Sequence, residues 1–364
     1  MLFPKRRAIG LSSPGTIRRF SPDGQFLFVF SPCQTVFLVY RMNDNFHLCD
    51  DKAITFKSFF TEHCAIPITH NEFESMVLCR DFCLCVGDDL VILASAAPMS
   101  SLHGEKSRLA NPRSLTTISH LDSVTLHLID VKRSRQLDCL MFRQDLIMLA
   151  NHGGVGMCGD LFLVTSLQHQ CIIVYKILDG KFWEIVRVGH RVDLWHKMLV
   201  FLYKQTDDKL WFHGIANSLL KLAIGKAQLI DSNRILIKLV PPDFLVQRFA
   251  PGDHPMHFVF VIYDFKVNTI EQVYNYRQFY EWIMQNDDRL RVTAYENYVI
   301  DSTPGYNNCP GTRFALTKHF ESIECPQRRE GVLRRIMFSV FPYSPQTLST
   351  TLYLDSAKFG YDEK

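Results

Sequence analysis

The chain has 364 residues, of which 47% are apolar and 21% are charged, and its mean hydropathy is −0.01. This balance excludes a wholly disordered, collagen-like or coiled-coil chain. The longest apolar stretches, such as 258–263, are far shorter than the roughly 20 residues that span a bilayer, and the first residues do not have the pattern of a secretory signal. We therefore expect a soluble intracellular protein that does not associate with membranes.

Forty Lys and Arg residues against 37 Asp and Glu residues give a net charge of +3. The basic clusters are short and scattered, at 5–7, 18–19, 132–135, 328–329 and 334–335. A domain that binds duplex nucleic acid usually concentrates its positive charge on one face. The clusters therefore indicate solvated turns and helix faces, and we expect no sequence-specific nucleic-acid binding. A weak nuclear-import or phosphate-contacting role is the alternative.

The chain has 11 cysteines and no C-x-x-C pair. Zinc ribbons and fingers need two chelating pairs, because a short loop between two ligands sets the tetrahedral geometry. Free, buried thiols in a reducing compartment explain these cysteines better. The sequence thus predicts neither a metal site nor a disulfide framework.

The first 42 residues contain the strongest local pattern. A short strand from residue 16 leads into the turn Ser21-Pro22-Asp23-Gly24, and strands at 25–31 and 34–41 follow. Proline presets φ in such a turn, aspartate hydrogen-bonds its own backbone, and glycine accepts positive φ. Three short antiparallel strands form a β-meander, which is the unit of a WD40-like propeller blade.

The pattern returns along the chain at a spacing of about 8–12 residues, which is typical of an all-β sandwich, barrel or propeller. The further predicted strands are 82–86, 90–96, 124–130, 136–142, 161–166, 171–177, 182–188, 234–240, 257–263 and 269–273. Because the meanders recur, we predict an all-β-dominated, WD40-like β-propeller in a single domain over 1–364.

Some segments depart from the β pattern. From 193 to 227 the apolar residues, among them Leu194, Met198 and Phe201, recur at helical spacing, which predicts a helical insertion. The other predicted departures are a loop at 99–119, a helix at 276–291, a loop at 297–330, a short helix at 331–339 and a C-terminal docking segment at 331–364.

Two glycine-rich motifs suggest chemistry that their context does not support. Gly154–Gly159 matches G-x-G-x-x-G, but a dinucleotide site needs a helix directly afterwards, and 161–166 has the pattern of a strand. His152–Gly156 resembles an esterase oxyanion loop, but the chain has no G-x-S-x-G nucleophile motif. We interpret both motifs as one inter-strand turn. The sequence predicts no enzyme, and no catalytic, cofactor-binding or metal-ligating residue.

Several motifs, in order along nearly the whole chain, resemble the De-etiolated-1 family. They are Ile17–Gly24 with Phe30-Ser31 and Gln34-Thr35; Asn111–Ser114 before Leu126–Asp130; Phe142-Arg143 with Asp145; Val186–Gly189; Gln228–Asp231 before Ile235–Lys238; and, in the tail, Val332–Arg335, Pro342, Ser344, Gln346, Tyr353–Asp355, Phe359, Tyr361-Asp362 and Lys364.

This resemblance implies a non-catalytic scaffold or regulatory subunit of a cullin-4 RING ubiquitin ligase, located in the nucleus. The implied partners are the damage-specific DNA-binding adaptor protein, a small accessory subunit and the constitutive-photomorphogenic ligase, with histone contact also possible. The implied role is to promote ubiquitination and degradation of transcription regulators, which in plants represses light responses. Family members have residues before the first blade and strands after the segment matching Lys364, so we expect this propeller to be incomplete at both ends.

Two other functions stay open from the residues alone. One is a propeller-type hydrolase with a metal or a serine at the central channel, and the other is a chromatin or histone-binding module without a ubiquitin role. In the tail, small and polar residues separate Tyr353, Leu354, Phe359 and Tyr361, as in an extended segment that docks into a groove or completes an edge strand. We predict that these four residues bind protein; the alternative is that they pack on their own propeller.

Overall fold

The computed structural model describes residues 14–43, 55–68, 76–97, 122–149, 153–189, 193–242 and 258–275, and in addition Leu245, Gln278, Phe279, Trp282, Gln285 and Asn286. Sixteen strands and three helices are defined in these ranges. The elements are β1 (Thr16–Phe20), β2 (Phe26–Phe30), β3 (Val36–Met42), α1 (Phe56–Phe59), β4 (Phe60–Pro67), β5 (Val77–Val86), β6 (Leu90–Ala97), β7 (Ser123–Asp130), β8 (Arg135–Phe142), β9 (Val155–Cys158), β10 (Leu161–Ser166), β11 (Cys171–Leu178), β12 (Lys181–Val188), α2 (Asp193–Gln205), α3 (Lys209–Leu220), β13 (Ala223–Leu229), β14 (Arg234–Val240), β15 (Val259–Asp264) and β16 (Thr269–Asn275).

The strands form four sheets of four strands each, and in every sheet the spatial order follows the sequence order, from β1–β4 to β13–β16. Within a sheet, strands adjacent in the chain pair antiparallel, as the β10–β11 register from Leu161↔Lys176 to Ser166↔Cys171 illustrates. Four-stranded meanders of this kind are propeller blades. The prediction of an all-β-dominated, WD40-like propeller fold is therefore confirmed.

The inner strands of these sheets are buried on both faces. All five residues of β2 are buried, and so are all six of β10. Strands that are buried on both faces have continuous apolar runs in their sequences, rather than an alternation of apolar and polar residues. The fourth strand of a sheet is more exposed, as in β4, where only Ile66 is buried.

The chain divides into two compact units, one comprising residues 1–97 and 126–138 and the other 98–125 and 139–364. In the first unit, Phe28, Phe30 and Phe37 lie in a buried core that extends to Leu93. In the second unit, Leu163 and Val174 share a core with Trp195 and Ile237. The prediction of a single domain over 1–364 stays a prediction.

The turn at Ser21–Gly24 has the predicted geometry. The Gly24 backbone has φ 73° and its N–H donates to the Ser21 carbonyl at 2.9 Å. The Ser21 hydroxyl oxygen also accepts from the Phe26 N–H at 2.9 Å. Because glycine has no Cβ, it adopts this positive φ without strain.

The predicted helical insertion starts correctly at 193 but ends too late. Helix α3 ends at Leu220, and β13 begins at Ala223, so residues 223–227 are strand rather than helix. The glycine-rich segment is a turn only in part: Gly153-Gly154 and Gly159-Asp160 lie in turns, whereas Val155–Cys158 forms β9 and pairs with β10.

The other predicted departures lie partly or wholly outside the described residues. In the predicted helix at 276–291, Gln278, Phe279, Trp282, Gln285 and Asn286 are helical, in agreement with the prediction. The segments 99–119, 297–330, 331–339 and 331–364 lie outside the part of the chain that the structure describes.

Candidate protein-interaction surface

The helical insertion forms a hairpin of α2 and α3 that is anchored firmly on the second unit. Leu194, Trp195 and Met198 of α2 are buried in the core of that unit. The Trp195 Nε1–H donates to the Leu222 carbonyl at 3.0 Å, which ties the start of α2 to the second residue after α3. The Lys197 Nζ donates to the Asn268 carbonyl at 3.0 Å, in the turn between β15 and β16. The hairpin is thus held at its base.

The tip of the hairpin is held by helix capping. The Asp208 side chain accepts from the Trp211 N–H at 2.9 Å, so that Asp208 is the N-cap of α3. Lys209 Nζ donates to the Tyr203 carbonyl at 2.8 Å and to the Thr206 carbonyl at 2.7 Å. These bonds satisfy backbone groups that a helix end leaves without partners inside the helix. The tip is therefore hydrogen-bonded to both helices.

Large apolar side chains project from this tip into solvent. Leu210 is 86% exposed and Trp211 is 51% exposed, whereas Phe212, the next residue, is buried. Single exposed apolar residues are normal on a surface, but tryptophan is enriched among the residues that dominate binding at protein interfaces, and here it lies beside an exposed leucine on a capped helix. This is the first candidate interaction surface.

Strand β12 is the second candidate interaction surface. It is the outermost strand of its sheet, and among the described residues it pairs only with β11. Trp183 is 56% exposed and Ile185 is 47% exposed, although Val188 of the same strand is buried. An edge strand with apolar side chains presents free backbone donors and acceptors and can add a strand from a partner.

The sequence did not indicate these two surfaces, and it placed the docking residues elsewhere. Tyr353, Leu354, Phe359 and Tyr361 lie outside the described residues, so their role stays a prediction. The signal that could have identified the exposed start of α3, within the predicted helical insertion, was the pair Asp207-Asp208, an N-cap pattern shortly before two large apolar residues.

A Ser–His pair lies in the first unit and gives no support to a hydrolase. The Ser95 hydroxyl lies 2.7 Å from His127 Nε2, and His127 Nδ1 lies 3.1 Å from Gln136 Oε1. Because an amide oxygen only accepts, Nδ1 carries the proton and Nε2 accepts from Ser95. Ser95 and His127 are both fully buried, so no substrate reaches the pair. We assign it to the packing of β6 against β7.

A second buried polar group lies between β8 and β10. The Ser166 hydroxyl donates to Asp145 Oδ1 at 2.8 Å, and the Leu146 N–H donates to the same oxygen at 2.7 Å. Burial raises the pKa of the Asp145 carboxyl, and the hydrogen bond from Ser166 opposes that shift. Since Ser166 hydrogen-bonds the carboxylate rather than an imidazole, the arrangement is not that of a nucleophile and its base.

The described residues contain no group of three or more His, Cys, Asp or Glu side chains that could hold a metal ion. None of the eight cysteines in the described ranges forms a disulfide bond, and Cys83, Cys85 and Cys171 are buried. Within the same ranges, no helix has the length and apolar character needed to cross a membrane.

Comparison with known proteins identifies relatives among plant light-mediated development proteins. The family model of De-etiolated protein 1 (Det1) matches residues 80–194 and 191–364. A light-mediated development protein DET1 of Solanum lycopersicum is 22% identical and covers 96% of this chain and 76% of the relative. The protein of the same name from Arabidopsis thaliana is 24% identical over 64% of this chain, which spans only 42% of that relative's length.

Among solved structures, one similar to this chain is the WD40 domain of Toxoplasma gondii coronin. The aligned region covers 72% of this chain and 47% of the coronin chain, with 9% identity and a TM-score of 0.33. Another is the C-terminal WD40 domain of Sif2. That alignment covers 72% of this chain and 76% of the Sif2 chain, with 8% identity and a TM-score of 0.31. The fold assignment rests on the strand pairing described above. The family match spans more than half of the sequence, and the chain therefore belongs to the De-etiolated protein 1 (Det1) family, which includes the light-mediated development proteins of these two plants.

Proposed function

We propose that the chain is a non-catalytic scaffold subunit of a nuclear cullin-4 RING ubiquitin ligase, which promotes ubiquitination and degradation of transcription regulators. The observation that carries this proposal is the match to the Det1 family model over 80–194 and 191–364. The proposed partners are the damage-specific DNA-binding adaptor protein, a small accessory subunit and the constitutive-photomorphogenic ligase.

A scaffold needs no nucleophile of its own. Holding a substrate and a conjugating enzyme on one body raises their effective concentration, so that transfer becomes nearly intramolecular. The capped α3 tip with Leu210 and Trp211, and the β12 edge with Trp183 and Ile185, are surfaces of the kind that such a role requires.

The test is affinity purification of the full chain from cells, followed by mass spectrometry and a ubiquitin-transfer assay. We expect the adaptor and cullin-4 to co-purify, and we expect the purified complex to transfer ubiquitin while the isolated chain forms no thioester with it. Absence of both the adaptor and every cullin from a preparation of folded chain would contradict the proposal.

The control separates specific assembly from capture of unfolded protein. Phe28 is fully buried in the first unit, so Phe28→Asp places a charge in an apolar core and unfolds it. Partners of the native surface are lost from this variant, whereas chaperones are retained. If the adaptor binds the variant as well as it binds the native chain, its capture reflects exposed apolar surface and the scaffold proposal is wrong.

A further inference from the structure

Strands β13 and β14 place two lysines side by side on an apolar face of their sheet. Lys226 lies directly opposite Lys238, and side chains in that position on paired strands are close neighbours. Ile237, next to Lys238 in the chain, lies in the main core of the second unit, so the two lysines are on the other face of the sheet. On that face Leu236 and Val240, which flank Lys238, belong to a second buried apolar cluster.

The two amines differ in their surroundings. Lys238 is buried, with its Nζ 4.2 Å from the centroid of the Phe258 ring, whereas Lys226 is half-buried. Like charges opposite one another are unfavourable, and burial penalises each charge further. Burial lowers the pKa of both amines, and the charge of Lys226 lowers that of Lys238 more. Just above neutral pH the folded chain therefore carries a neutral amine at Lys238 beside an ammonium at Lys226.

The carboxylates described on this sheet are engaged elsewhere. The Arg234 guanidinium forms ion pairs with Asp231 at 2.6 Å and with Glu271 at 3.3 Å. The Asp264 Oδ1 accepts from two backbone N–H groups of the turn that follows it. Among the residues that the structure describes, no carboxylate forms an ion pair with Lys226, whose pKa is lowered by burial alone. Lys226 is thus a cation that an anion formed beside it would neutralise.

Burial and charge together select the reagent that suits Lys238. Because the amine lies among apolar side chains, a small, uncharged electrophile reaches it more readily than a large or charged one. A product that is an anion is favoured, since it replaces the repulsion between two ammonium groups by an ion pair with Lys226. Carbon dioxide meets both conditions, whereas acyl donors and cyanate leave a neutral product.

We propose that Lys238 binds carbon dioxide reversibly as a carbamate, with Lys226 as its counter-ion. The lone pair of the neutral Lys238 Nζ attacks the carbon of carbon dioxide. A C–N bond forms while one C=O π bond becomes a C–O⁻ bond, and the nitrogen releases one proton to water. Return of the proton and cleavage of the C–N bond regenerate the amine. This inference does not depend on the ligase role proposed above.

The test is carbon NMR of the folded full chain in isotopically labelled bicarbonate, at constant pH just above neutrality. We expect a carbamate signal in wild type that is lost in Lys238→Met. Because the carbamate forms on the folded chain, bicarbonate should also raise the unfolding temperature of wild type more than that of Lys238→Met. Absence of a carbamate signal, or a spectrum that Lys238→Met leaves unchanged, would overturn the proposal. So would an equal rise of the unfolding temperature in both proteins.

Variants of Lys226 test the counter-ion. Lys226→Met removes the positive charge, so the carbamate signal should fall at least fivefold, whereas Lys226→Arg keeps the charge and should retain the signal. Lys266→Arg, at an exposed turn residue of the same unit, is the matched control and should leave the signal unchanged. The unfolding temperature of each variant, measured without bicarbonate, reports whether it is folded. Equal carbamate signals in wild type and Lys226→Met would show that Lys226 is not the counter-ion and overturn the proposal.

Discussion

Lys226 and Lys238 lie directly opposite each other on the paired strands β13 and β14. Lys238 is buried, and its Nζ lies 4.2 Å from the centroid of the Phe258 ring. Burial, together with the charge of Lys226, lowers the pKa of the Lys238 amine to about 7. Burial also lowers the pKa of Lys226, to about 8. Like charges opposite one another weaken a sheet, so loss of a proton from this pair relieves the repulsion.

This pair makes the stability of the second unit depend on pH. The ordinary pKa of the lysine amine is 10.5, so between about pH 7 and 10.5 the unfolded chain binds more protons than the folded chain. Stability therefore rises with pH through that window and is lost as pH falls toward 7. The slope for one lysine is at most about 1.4 kcal/mol per pH unit.

Urea unfolding at pH 7, 8 and 9 measures this slope, with Lys238→Met as the test variant and Lys266→Met, at an exposed turn residue, as the control. We expect Lys238→Met to flatten the pH dependence and the control to retain it. A slope that is equal in wild type and Lys238→Met would show that the lysine keeps its proton when buried.

Cys33 is expected to be a reactive thiol. Its Sγ lies 3.2 Å from the Ser31 hydroxyl and 2.9 Å from the Thr35 hydroxyl, and these hydrogen bonds lower its pKa to about 7. Because the thiolate is the nucleophile, alkylation of Cys33 by iodoacetamide should be half-maximal near pH 7. Peptide mass spectrometry follows the reaction at each cysteine.

The matched variant is Thr35→Val, which keeps the shape of the side chain and removes one hydroxyl. It should move the midpoint of Cys33 alkylation to higher pH. Cys171 is the internal reference, since burial raises its pKa to about 11 and should keep it unmodified in the folded chain. Alkylation of Cys33 and Cys171 at equal rates would contradict the prediction.

Removing the Ser95 hydroxyl should destabilise the first unit. Ser95→Ala leaves His127 Nε2 without its hydrogen bond from Ser95 in a fully buried site, and an unmade buried hydrogen bond costs about 1–3 kcal/mol. Urea unfolding of Ser95→Ala, His127→Phe and the double variant gives the coupling between the two residues. Ser218→Ala on the exposed face of α3 serves as a neutral control. A coupling near zero would mean that the bond contributes nothing to stability.

The sequence predicts the central strands well, because burial on both faces makes them apolar and turn residues mark their ends. The strand predicted at 161–166 coincides with β10, and the strand at 234–240 coincides with β14. The strand pattern is equally clear at 90–96, where β6 continues by one residue to Ala97.

The strands that the sequence does not predict lack this apolar signal. The fourth strand β4 is mostly exposed and ends at Pro67, so it shows no apolar pattern. Strand β9 contains Gly156 and has the composition of a turn. Strand β13 contains Gly225 and Lys226, and its apolar residues continue the helical spacing of α3. In each case pairing with a neighbouring strand, which no local pattern shows, determines the structure.

The candidate surfaces are harder to predict than the fold, since apolar residues of a core and of an interface look alike in a sequence. Phe212 is buried while Leu210 and Trp211, beside it, are exposed. Only the packing of α3 against its unit distinguishes them.

The predicted docking residues of the tail can be tested in two pairs. Tyr353→Ala with Leu354→Ala, and Phe359→Ala with Tyr361→Ala, each remove two large side chains from the predicted docking segment. If the tail docks on a partner, the adaptor recovered by affinity purification should fall at least tenfold and the unfolding temperature should not change. If the aromatics pack on their own propeller, the unfolding temperature should fall by several degrees instead, because buried aromatic truncations cost about 3–5 kcal/mol.

Ser349→Ala with Thr350→Ala, in the same tail, is the matched control. Variants that leave both adaptor recovery and unfolding temperature at the wild-type values would exclude a role for these residues in either docking or packing.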